Sequence, residues 1–169
     1  MKDLVFSLIY NFNTRLILFI ISIFSVKLMT VTEYGDFSYI LTLITTLAIF
    51  SLFGGGVAVN RSFSVERGNG EFVDSNKIFQ FNIVVSLIVS SVLLMVILIF
   101  NNNLIQLILF FLIFLLMSVN GIVEGAMYGL GAYKELAINS TLVFLISVFS
   151  SYFLIQEYKA VGALVSLLI

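Results

Sequence analysis

The chain contains no cysteine, histidine, tryptophan or proline, and only 10% of its 169 residues are charged. Without cysteine there are no disulfides and no thiol catalysis, and without histidine as well there is no zinc or haem site built on imidazole or thiolate. The usual general base of a serine nucleophile is missing too. A soluble domain of this size carries about 25% charged residues, so the shortage of charge is itself a class signal. The eight basic residues are scattered and form no basic run, which speaks against nucleic acid as a partner.

What is present is apolar. Hydrophobic residues make up 61% of the chain, with eighteen phenylalanines and seven tyrosines. From Ile78 to Val123 there is no charged side chain, and the run is interrupted near its middle only by Asn101-Asn102-Asn103. That is too long for one bilayer crossing and suits two joined by a tight polar turn. Further charge-free runs lie between Asp36 and Arg61 and between Glu135 and Glu157. A β-barrel would show alternating segments of about 10 residues, and none is seen. The pattern predicts an all-α, polytopic transmembrane bundle of five complete helices and the start of a sixth, over residues 4–30, 37–60, 78–100, 104–127, 136–156 and 160–169. The chain is still apolar at Ile169, so it is expected to end inside helix six. Lys2 precedes a long apolar stretch without a small-residue cleavage pattern, which reads as an uncleaved first helix.

Loop charge sets the orientation. With the N-terminus in the cytoplasm, Lys2, Arg61, Arg67, Lys77 and Lys134 lie inside, while Lys27 and Lys159 lie outside. The positive-inside rule selects that arrangement, with Asn102 external and Gly70 cytoplasmic. The outer connections are then short, leaving no room for a folded catalytic domain, so the chain does not read as an enzyme.

Arg15 is the residue most suggestive of function. Leu16–Val26, which separates it from Lys27, reaches only about 16 Å as helix, so one of the two cations lies at membrane depth or snorkels to an edge. An arginine at the bilayer centre costs roughly 2.5–3.5 kcal/mol on insertion scales and ordinarily faces a bundle interior or a water-filled cavity. Ser7, Asn11, Thr14, Arg15, Ser22 and Ser25 fall within about a 100° stripe, a polar seam that leaves the rest of the helix apolar. Two readings are open: a cavity-facing Arg15, or an Arg15 at the inner interface with the preceding residues on the membrane surface.

Ser38, Thr42, Thr45 and Thr46 form a similar stripe on the second helix, either lining a polar path or joining helices through hydroxyls. Gly54-Gly55-Gly56 reads as a hinge or as a place of close packing, with Arg61 just beyond it as an inner-edge anchor. Gly121, Gly125 and Gly129 recur every fourth residue, the spacing that lets another helix approach closely. Glu124 invites a coupling role for a proton or cation, but Leu104–Val123 already spans about 30 Å, which also allows an interfacial carboxylate. The chain holds no metal-ligand constellation, and no cofactor is expected.

Four stretches resemble bacterial polysaccharide repeat-unit flippases of the O-antigen and capsule type, members of the multidrug/oligosaccharidyl-lipid/polysaccharide exporter superfamily. Lys27-Leu28-Met29-Thr30-Val31-Thr32-Glu33-Tyr34-Gly35, followed by Asp36-Phe37-Ser38, resembles the family's phrase at the end of helix one, with Thr30-Val31-Thr32 where the family has Gly-Pro. Phe53-Gly54-Gly55-Gly56-Val57-Ala58-Val59-Asn60-Arg61 is similar to the glycine-rich end of helix two. Gly125–Lys134 is similar to the linker between helices four and five, and Val161-Gly162-Ala163-Leu164 to the start of helix six. The resemblance implies the N-terminal lobe of a two-lobe transporter that moves an undecaprenyl-pyrophosphate-linked oligosaccharide across the cytoplasmic membrane by alternating access. It also implies that Arg15, and secondarily Arg61, meet the pyrophosphate or acidic sugars, with Asn11 and Thr14 along the same path. Other polysaccharide-assembly membrane proteins are the expected neighbours. A cation-coupled drug exporter of the same fold and a membrane polymerase or acyltransferase are the alternatives.

Overall fold

The computed structural model describes residues 2–52, 54–68, 73–100 and 104–168, with side chains described at all of these except 50–52, 73, 93–100 and 104–107. Among the described residues all regular structure is helical: α1 (Lys2–Leu28), α2 (Val31–Leu52), α3 (Gly55–Arg67), α4 (Val73–Phe100), α5 (Leu104–Leu130) and α6 (Tyr133–Ser166). The expected Asn101-Asn102-Asn103 turn, and Asn69 and Gly70 of the expected loop, lie outside the described residues.

Four helical stretches among the described residues are long and apolar enough to cross a membrane: Lys2–Leu28, Asp74–Val92, Ile108–Leu130 and Tyr133–Ser166. Five complete crossings were expected, and the difference arises at the second. Instead of one helix over 37–60 there are two, because the backbone turns left-handed at Gly54 (φ 74°, ψ 8°). Glycine adopts that conformation without the steric penalty a Cβ brings. The preceding α2 carries Glu33 and Asp36 in its opening turns. The 13 residues of α3 reach about 20 Å, too little for a crossing.

At the far end, the break expected before residue 160 appears as a kink within α6 at Lys159 (φ 52°, ψ −127°). Residues eight apart in a straight helix are about 12 Å apart. Yet a Cβ on Gly162 would run into the backbone of Leu154, so the second arm, 160–166, folds back against the first.

Short-range chemistry fixes the α1–α2 turn. The Thr30 backbone N–H and hydroxyl donate to Glu33 Oε2 at 2.8 and 2.9 Å, and the Glu33 N–H donates back to Thr30 Oγ1 at 3.4 Å. This is a reciprocal capping box, which satisfies backbone N–H groups at the start of α2. Lys159 Nζ donates to the Leu28 carbonyl at 3.0 Å, satisfying an orphan acceptor at the C-terminus of α1.

The chain forms two compact units, one of Met1–Leu43 with Tyr133–Ile169 and one of Ile44–Ala132, with the boundary inside α2. In the first, α1 and α6 run parallel. Asn13 meets Ser140 and Thr141, Phe24 meets Tyr152 edge-on at 5.6 Å, and Leu28 meets Lys159. Tyr10, Asn13, Ile21 and Ser25 of α1 are buried, as are Ala137, Ser140, Ser147, Ser151 and Ile155 of α6. Small side chains at helical spacing allow this close approach.

In the second unit, Val59 and Phe63 of α3 pack with Ile122 and Ala126 of α5, and Phe79 and Ile83 of α4 close over them. The Phe63 and Phe79 rings meet edge-on at 6.4 Å. The Glu66 carboxylate accepts from the Asp74 and Ser75 N–H groups at 3.2 Å, capping α4 from the neighbouring helix, and the Ser62 and Ser75 hydroxyls pair at 2.9 Å.

Candidate functional site

Two places bear on function, one in each unit. The first is the polar seam of α1. Its members are mostly engaged with their own helix: Asn11 Nδ2 donates to the Ser7 carbonyl at 2.8 Å, the Thr14 hydroxyl to Tyr10 and Asn11 carbonyls at 3.1 and 3.2 Å, and the Ser22 hydroxyl to Leu18 at 2.8 Å. Arg15 is exposed at the middle of α1, and its guanidinium has no hydrogen-bond or ion-pair partner among the described residues.

The face of α1 that α6 covers is a different one. The buried Tyr10, Asn13, Ile21 and Ser25 are centred roughly 80° around the helix from the seam, so of the seam only Ser25 is buried against α6. The buried face of α6 over this stretch is made of Leu136, Ala137, Ser140, Ser147, Ser151 and Ile155, none of them charged. Asn13 was not singled out by the sequence, since it falls off the polar stripe. Its Nδ2 donates to Thr141 Oγ1 at 2.9 Å and reaches Ser140 Oγ at 3.3 Å, a clasp visible only once α1 and α6 are paired.

The α2 stripe behaves like the α1 seam. Thr42 and Thr46 are exposed and Ser38 and Thr45 half-buried, with the Thr42 hydroxyl donating to the Ser38 carbonyl at 2.8 Å, while Phe37, Ile44 and Ala48 form the packed face.

The second place is a cleft of about 420 Å³ lined by Ile49, Gly54, Gly56, Val57, Asn60, Gly121, Glu124, Gly125 and Tyr128. Its floor is the α3–α5 contact. A Cβ on Gly56 would stand 2.7 Å from the Gly121 carbonyl, one on Gly125 would enter the Gly56 backbone, and one on Gly129 would lie 2.6 Å from the Asn60 carbonyl. A Cβ on Gly55 would strike the Asn82 amide. The geometry thus divides the glycine triplet: Gly54 makes the break, and Gly55 and Gly56 make close contacts. Gly121, Gly125 and Gly129 are the matching side of that contact.

Because the glycines draw the two backbones together, Glu124 and Tyr128, one turn apart on α5, share a wall with Asn60 of α3. All three are half-buried. Asn60 and Tyr128 were not anticipated, although the i, i+4 spacing of Tyr128 from Glu124 was legible. Arg61 is exposed on α3 and is not among the residues lining the cleft. Arg15 and Arg61 therefore belong to separate units, whereas Glu124 and five of the six singled-out glycines (Gly54, Gly56, Gly121, Gly125 and, through its α3 contact, Gly129) cluster around one helix pair.

No protein-family model matches the chain, and no curated protein and no solved structure matches it.

Proposed function

We propose that the chain is the N-terminal lobe of a bacterial inner-membrane flippase, with a cytoplasmic N-terminus, that carries undecaprenyl-pyrophosphate-linked repeat units to the periplasmic leaflet for O-antigen or capsule synthesis. The reading takes in a two-lobe architecture, transport without catalysis, and polysaccharide-assembly proteins as neighbours. The observation that carries it is Arg15, which stands midway along a membrane-length helix on the face α6 leaves uncovered, without a partner among the described residues. A cation so placed calls for water or an anion, and a planar guanidinium matches pyrophosphate oxygens two at a time. The resemblance at residues 27–38, 53–61 and 125–134 supports the same reading.

The test is made in cells dependent on this protein, by following lipid-linked repeat units on the two membrane faces. Arg15→Ala is expected to leave units on the cytoplasmic face and lower flipping at least about tenfold at unchanged protein level, corresponding to one lost charge-assisted contact. Arg15→Lys is expected to restore part of it. Wild-type flipping by Arg15→Ala would remove the reading.

A second reading, a cation-coupled exporter of the same fold, is favoured by Glu124 in its open cleft. The same assay separates the alternatives. An exporter leaves repeat-unit flipping intact when deleted, and a polymerase leaves single units on the outer face.

A further inference from the structure

The α3–α5 cleft changes character with membrane depth. We set the scale by charge, taking the charge-free stretch Leu104–Val123 as the part of α5 in the ~30 Å hydrocarbon core, at ~1.5 Å per residue. Gly121 then lies just inside the inner edge, Glu124 and Gly125 at it, and Tyr128 about 7 Å beyond, among the headgroups. Gly56 packs on Gly121 and Gly125, and Asn60 on Gly129, so α3 shares this scale, with Val57 near the core edge and Asn60 at headgroup depth. The apolar wall is open to the surroundings, with Ile49 72% and Val57 74% exposed. The polar lining (Asn60, Glu124 and Tyr128) contains a carboxylate, a phenol and an amide but no lysine or arginine. Arg61 follows Asn60 in the next position, outside the cleft at the same depth.

A site with hydrocarbon on one side, and on the other a lining that holds one carboxylate and no basic residue, selects an amphiphile whose polar end is cationic. About 420 Å³ falls within the ~300–1,000 Å³ range of small-molecule sites. We propose that this cleft binds a phospholipid bearing an ammonium headgroup. The ammonium meets the Glu124 carboxylate and the Tyr128 ring, where hydrogen bonding and cation–π attraction coincide. Asn60 Oδ1, which already accepts from the Ser64 hydroxyl at 3.2 Å, has a second lone pair for the same group. The first methylenes lie on Ile49 and Val57, and Arg61 stands at the depth of the phosphate. A headgroup with net negative charge is repelled by Glu124. The inference rests on α5 crossing the bilayer with Glu124 at the core edge, and not on what the chain transports.

The chain has no tryptophan, so Ile49→Trp places a single fluorescent reporter in the cleft wall. The full chain carrying it is reconstituted in phosphatidylglycerol vesicles and titrated with phosphatidylethanolamine or phosphatidylglycerol brominated on the acyl chains. Brominated phosphatidylethanolamine is expected to quench with an apparent affinity about tenfold higher, the value of one charge-assisted contact. Glu124→Gln is expected to make the two lipids equal, while Glu124→Asp, which keeps the charge if the glutamine variant folds poorly, retains a preference. Equal quenching with Glu124 intact, or a preference that survives Glu124→Gln, overturns the proposal. Displacement of the lipid by soluble ethanolammonium at matching concentration overturns the phospholipid assignment by revealing a site for any ammonium. No transport is read, so loss of the flippase reading and loss of this one register separately.

Discussion

The two units solve the same problem, holding a membrane-length helix against a neighbouring helix, with different small residues. Among the small residues buried between α1 and α6 are serines and one asparagine, whereas the close backbone approach of α3 to α5 is made at glycines. In a bilayer, helices gain little from burying apolar surface, so close packing and cross-helix hydrogen bonds must hold them. The serine interface keeps a Cβ on every residue and adds the Asn13 clasp. The glycine interface has no such margin, because a Cβ at Gly56, Gly125 or Gly129 meets backbone rather than a side-chain tip that can swing aside. One interface is therefore tolerant and polar, and the other is intolerant and bare.

The sharpest way to break this contrast is Gly125→Ala. Its methyl group would enter the Gly56 backbone, and overpacking of this kind costs about 1–3 kcal/mol and at times more. We expect the largest fall in thermal midpoint of any alanine substitution discussed here, read by fluorescence-detected size exclusion in detergent. The loss is expected to extend to the cleft, since Glu124, Tyr128 and Asn60 share a wall only because these backbones touch. An unchanged midpoint would mean that α3 and α5 are farther apart than their glycines imply.

A smaller effect is expected in the serine interface, where two substitutions pull in different directions. Asn13→Ala removes donors to Thr141 and Ser140 and is expected to cost about 1–2 kcal/mol, since measured interhelical hydrogen bonds in membranes average near 0.6 with a maximum near 1.7. Ser147 is buried with no hydrogen-bond partner for its hydroxyl among the described residues. Removing an unsatisfied polar atom leaves no stranded partner, so Ser147→Ala is expected to be neutral or mildly stabilising in the same assay. If Ser147→Ala cost as much as Asn13→Ala, the hydroxyl would have a partner and the two interfaces would be less alike in their reliance on shape.

Much of this was readable from composition and spacing. Charge-free runs and the absence of strand alternation predict helices, and the Gly121, Gly125, Gly129 repeat predicts a close contact. What could not be read was the face each helix turns to its neighbour. On α1 the polar stripe drew attention to Asn11, Thr14 and Arg15, but burial follows whichever face fits the serines of α6, which depends on pairing and not on periodicity within α1. The break at Gly54 was visible as a glycine triplet. Which of the three takes the left-handed conformation is decided by contacts of Gly55 with Asn82 and of Gly56 with Gly121, both distant in sequence. Thr30-x-x-Glu33 was the missed local signal: a capping box lies within four residues and needs no tertiary information.

That capping box gives the smallest expected effect and extends the comparison to the helix ends. In the first unit α2 is capped by its own sequence, through Thr30 and Glu33, whereas in the second α4 is capped from across space by Glu66. The Thr30 backbone N–H and then its hydroxyl hold the Glu33 carboxyl below its ordinary value; desolvation pulls the other way, and the charge of Lys159 adds a smaller downward effect. A carboxyl whose pKa is lower folded than unfolded adds stability at pH above the ordinary carboxylate value, and that stability is lost as pH falls through the folded pKa. The thermal midpoint of the wild type is therefore expected to fall more steeply than that of Glu33→Gln as the buffer is acidified below the ordinary carboxylate range, with the two curves converging at the acid end. Because Glu33 lies at the chain surface, salt is expected to screen the Lys159 part while leaving the Thr30 hydrogen bonds in place. Parallel curves for the two proteins across that range would mean that the cap forms without the carboxylate.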